Sequence, residues 1–80
     1  MLKAITHEQC RAARALIGWS QGQLAEAANV SRQTIVDFER GARRPYPNNL
    51  AAIKAALDAG GVVFVDPNGG GPGVRLRGAT

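Results

Sequence analysis

The chain of 80 residues predicts a mainly α fold, a compact four-helix domain with a C-terminal β-hairpin, and three observations predict it. Apolar and small residues recur at helical spacing through most of the first 60 residues. Capping and stop residues cut that stretch into four short segments. From Val62 the period changes to two β-rich runs, VVFV and VRLR, separated by the turn-forming segment DPNGGGPG. Residues 1–60 are expected to form the helical domain and residues 61–80 the hairpin, a candidate dimerisation element.

The elements follow in order. Thr6 with Gln9 reads as a capping box that opens a first helix from about residue 7 to Gly18, with Cys10, Ala13, Leu16 and Ile17 at helical spacing. Trp19 is a large apolar plug. Ser20 with Gln23 repeats the capping box and opens a second helix over 21–28. Asn29 occupies the turn, where a sharp exit from a helix calls for positive φ; Gly tolerates this best and Asn next. Ser31 then caps a third helix over 32–40 by accepting a bond from a free backbone N–H, an interaction worth about 1 kcal/mol. Gly41 supplies the stop. The basic loop GARRPYP is stiffened by Pro45 and Pro47, after which Leu50, Ile53 and Leu57 mark the inner face of a fourth helix ended by Gly60 and Gly61. The strands fall at 62–65 and 74–77. A lone hairpin is barely stable in water, so this one either covers its own core or pairs with a second copy through the edge carrying Val74 and Leu76.

The middle of the chain is the most specific. In QGQLAEAANVSRQTIVDFER the buried positions fall on Leu24, Ala25, Ala28, Val30, Ile35 and Phe38, with polar residues between them. Ala25 sits where two helices cross most closely, leaving room for the second backbone. This pattern is that of a helix-turn-helix, whose second helix fits the major groove of DNA. Arg14 lies on the stripe of Cys10 and Ile17, and Glu39 on that of Ile35, so both are expected to face inward. Burial of an unpaired charge is very costly, and the simplest solution is a partly buried salt bridge between them. The alternative is two solvated side chains at the stripe edges.

Composition narrows the function. The net charge is +4 and the isoelectric point near 10.2, which favours anionic partners. A single cysteine forms no internal disulfide, which fits a reducing cytosol. No apolar run approaches the roughly 18 residues of a membrane span, and the start MLKAITHEQC has no signal-peptide core. His7 and Cys10 are three apart, but two ligands do not make a metal site. DPNGGGPG lacks the Lys and Ser/Thr of a phosphate-binding loop and reads as a flexible turn. With no nucleophile beside a base and little chain to enclose a pocket, no enzymatic activity, cofactor or small-molecule ligand is expected.

The stretch WSQGQLAEAANVSRQTIVDFERGARRP resembles the phage repressor and Cro type of helix-turn-helix, the XRE family, with a lambda repressor-like fold. The resemblance spans about residues 5–59 and includes the Gln opening the second helix, the small Ala25, the turn, the ERG ending and the Arg14–Glu39 pairing typical of these domains. Asn29 departs from the common Gly, and Trp19 from a smaller aliphatic. The resemblance implies that Gln21 binds a phosphate and that the third helix enters the groove. The residues at its N-terminal end, Ser31, Arg32, Gln33 and Thr34, are then the expected base readers. Arg pairs bidentately with guanine and Gln with adenine. One turn later, Val36 is in reach of a thymine methyl, while Asp37 either accepts from cytosine or repels wrong sequences. Arg40, Arg43 and Arg44 are expected on phosphates. The implied protein is a cytoplasmic, nucleoid-associated regulator that binds double-stranded DNA as a homodimer on a palindromic operator. The rival reading is an antitoxin or protein-interaction module with a toxin or regulator as partner, and a third is a helical adaptor without DNA binding.

Overall fold

The first three helices each open on a side-chain cap and close on the same backbone loop. The computed structural model describes residues 4–67 and 69–78, and in it α1 spans His7–Ile17, α2 Gln21–Ala28 and α3 Arg32–Glu39. The capping boxes are complete at Thr6 with Gln9 and at Ser20 with Gln23. The Ser31 side chain accepts from the Thr34 N–H. At the other ends the N–H groups of Trp19, Val30 and Ala42 reach back five residues to the carbonyls of Arg14, Ala25 and Asp37. That closure requires a left-handed residue just before each donor. Gly18, Asn29 and Gly41 supply it, with φ of 69°, 57° and 73°. Asn29 is the one non-glycine with positive φ among the described residues.

α3 stops at Glu39, one residue short of the expected end. Arg40 has left helical geometry and the Asp37 carbonyl is turned to the loop, accepting from Ala42 and Arg43. α4, Pro47–Ala59, starts without a side-chain cap, but Pro at its first position has no N–H to satisfy.

Strands β1, Val62–Val65, and β2, Gly73–Leu76, form an antiparallel pair with Val62 opposite Leu76 and Val65 opposite Gly73. β2 begins one residue before the β-rich run, because pairing is a property of the backbone and Gly73 needs no side chain to join the ladder. Its carbonyl also accepts from the Gln9 side chain at 3.0 Å, which ties β2 to α1.

One apolar core joins all these parts. Leu24, Ile35, Ile53, Leu57, Val62 and Cys10 are its largest fully buried side chains. Ala25, Ala28 and Phe38 are buried with them, whereas Val30 is half-buried where the chain leaves α2. Val62 brings the hairpin into the helical core, and Trp19 packs against its margin. Among the described residues no helix is long and apolar enough to cross a membrane.

Gly60 shows how tight that margin is. A Cβ there would stand 2.9 Å from Ile17 Cδ1 and 3.0 Å from the Trp19 ring. Gly60→Ala is expected to lower stability by about 1–3 kcal/mol through overpacking, read as a lower urea midpoint. An unchanged midpoint would mean that Trp19 moves aside freely.

Candidate nucleic-acid interface

The site begins with what holds α3 in place. Glu39, 3% exposed, ends α3 with its carboxylate inside the protein. Arg14 of α1 donates to both its oxygens, Nε to Oε2 and Nη2 to Oε1, each at 2.7 Å. The Cys10 thiol adds a bond to Oε2 at 3.2 Å and the Gln21 amide one to Oε1 at 3.2 Å. Arg14 also donates to the Trp19 carbonyl at 2.9 Å, and Arg11 caps the Glu39 carbonyl. One carboxylate thus joins α1, the start of α2 and the end of α3. Burial alone would raise the Glu39 pKa, but the bonds from Arg14, Cys10 and Gln21 and the charge of Arg14 outweigh it and hold the carboxyl below its ordinary range. Burial, with the Glu39 carboxylate beside it, pushes the Cys10 thiol up, so Cys10 stays protonated as a donor and not a reactive thiolate.

Held at that end, α3 turns its N-terminal face outward. Ser31, Arg32 and Gln33 are exposed, and Thr34, Val36 and Asp37 are half-exposed. Their polar tips differ in freedom. The Ser31 hydroxyl serves as the cap and also contacts the Thr34 hydroxyl at 2.8 Å. The Gln33 amide donates to Asp37 Oδ1 at 2.9 Å, and Arg40 approaches the same oxygen at 3.4 Å. The Arg32 side chain makes no hydrogen bond or ion pair to another described residue. Among the four residues expected to read bases, Arg32 alone has its donors uncommitted within the described residues.

A groove runs beside this face. It is lined by Ser31, Gln33, Thr34 and Asp37 on α3, by Arg43, Arg44, Pro45 and Tyr46 in the loop, and by Asn49 on α4. The structure therefore brings Arg43 and Arg44 next to Ser31, Gln33 and Thr34, three of the four expected base readers, while Arg32 is exposed outside the groove lining and Arg40 follows the last residue of α3. Gln21 lies apart, at the foot of α2, with one amide N–H committed to Glu39 and one left over. Tyr46 and Asn49 are groove residues that sequence reasoning missed. Tyr46 is 78% exposed, an unusual place for an aromatic ring. The signal was a tyrosine between two prolines, read only as a stiff loop. No group of three or more metal-ligating side chains occurs among the described residues.

A family model described as helix-turn-helix matches residues 11–60. No curated protein matches the chain.

Proposed function

The chain belongs to the helix-turn-helix family of XRE type, the Cro/C1-type DNA-binding regulators, and from that membership we propose a sequence-specific regulator that binds a palindromic operator as a homodimer in the cytoplasm. The observation that carries this reading is the outward face of α3, where the Arg32 guanidinium is exposed and the Gln33 amide lines a groove edged by Arg43 and Arg44.

In this reading Arg32 bonds guanine O6 and N7, and Gln33 reads a neighbouring base. The hydroxyls of Ser31 and Thr34 make the closest approach at the helix start. Arg40, Arg43, Arg44 and the remaining amide N–H of Gln21 bind phosphates, which gives affinity without sequence information. The Tyr46 phenol adds a donor at the groove rim. The two-fold partner is joined through the free edge of the hairpin, where Leu76 is 51% exposed, while Val74 packs against the core of its own chain. Two copies of α3 then enter successive major grooves about 34 Å apart.

Selection of bound fragments from random duplex DNA at one salt concentration tests this proposal. The expected result is a site with two-fold symmetry; enrichment of an asymmetric site, or of none, would overturn it. Arg43→Ala and Arg44→Ala are each expected to weaken binding to every duplex and to lower the salt slope by about one unit. A slope unchanged from that of the parent chain would remove these arginines from the phosphate contacts.

A further inference from the structure

Asp37 is a carboxylate on a face that meets polyanionic DNA in the proposed function, and the structure gives it a task. Its Oδ1 accepts from Gln33 Nε2, one turn back on the same helix, at 2.9 Å. Arg40 Nη2 stands 3.4 Å from the same oxygen and offsets its charge. Both Gln33 and Asp37 line the groove with Thr34 and Arg43.

Resting on that reading of the α3 face, we infer that Asp37 is a positioning residue that sets Gln33 to read adenine. A primary amide carries two N–H donors and one carbonyl oxygen, and a carboxylate attracts the former and repels the latter. The carbonyl is driven to the far side, so the N–H committed to Asp37 is the one trans to it. What remains facing outward is the carbonyl oxygen together with the cis N–H, an adjacent acceptor and donor. That pair matches the N6 amino group and N7 of adenine in the major groove. Guanine presents two acceptors there, and its O6 would meet the amide oxygen. A free glutamine rotates to suit either purine, whereas one held by Asp37 does not. Discrimination therefore comes from the neighbour as much as from the reader.

The experiment is fragment selection from random duplex DNA with the full chain and with Gln33→Ala, Asp37→Ala and Asp37→Asn, each first checked for unchanged helical content by circular dichroism. The parent chain is expected to require adenine at one position of each half-site, and Gln33→Ala to relax that position alone. Asp37→Ala should relax the same position, cutting the adenine-over-guanine preference by about tenfold, while binding random duplex more tightly because a negative charge is gone. Asp37→Asn can turn either its oxygen or its own NH2 toward Gln33, so it no longer excludes the flipped amide and should lower the preference to a value between those of the parent chain and Asp37→Ala. The inference is overturned if Asp37→Ala leaves the preference intact, or if the position that depends on Gln33 is not adenine. A parent chain that enriches no sequence would overturn the DNA-reading proposal as well, so the two failures are distinguishable.

Discussion

Glu39→Ala is expected to destabilise the protein by about 3–5 kcal/mol, because it breaks a buried ion pair and leaves one charge without its partner. The carboxylate receives four bonds in a buried setting, and its removal strands the Arg14 guanidinium, the Cys10 thiol and the Gln21 amide together. A domain of this size has a total stability on the order of 5–15 kcal/mol, so a substantial unfolded population should be visible in urea titrations. Arg14→Ala should cost as much. Replacing both with apolar residues of similar volume should recover most of the loss, because the expense lies in the uncompensated partner. If the double variant were no better than either single one, the cluster would be needed for its shape and not for its pairing.

The same carboxylate sets the response to acid. Its folded-state pKa is depressed, so its contribution is complete above the ordinary carboxylate range and declines as pH falls through the depressed value. Stability should therefore hold through neutral pH and fall in acid. In Glu39→Gln that part of the acid loss should be missing, which paired melts at neutral and acid pH would show.

Arg32→Ala is the second large effect, and it acts on recognition alone. The side chain is exposed and makes no hydrogen bond to another described residue, so the melting temperature should not change. Binding to the selected site should weaken by about 1–3 kcal/mol, roughly five- to 150-fold. Binding to random duplex should fall far less, by the loss of a single charge. Equal losses on selected and random DNA would reassign Arg32 to the phosphates. A fall in melting temperature would point to a structural role.

The particular residues show how far the chain can be read unaided. Both capping boxes, the left-handed Asn29 and the Ser31 cap are local, each a contact between residues at most a few positions apart, and composition and spacing suffice to place them. The hairpin was legible as two β-rich runs, but its register starts at Gly73, where there is no side chain to signal a strand. Gln33 and Asp37 are four apart on a helix and within reach by spacing. Which amide hydrogen is used follows only from the chemistry of the pair in place. Tyr46 went unread because an aromatic in a proline-rich loop has no periodicity to reveal its surroundings.

The order of residues alone specifies where the first three helices begin and end to within a residue, which faces are apolar and which side chains stand at the front of α3, since these depend on contacts within a turn or two. The packing of the helices was needed to show that the Cys10 thiol and the Gln21 amide both end on Glu39, and that the loop arginines border the α3 face. Cys10 and Glu39 are 29 residues apart. The choice of partner for a buried polar atom depends on how α1, α2 and α3 pack against one another, and no property of the individual segments specifies that distance.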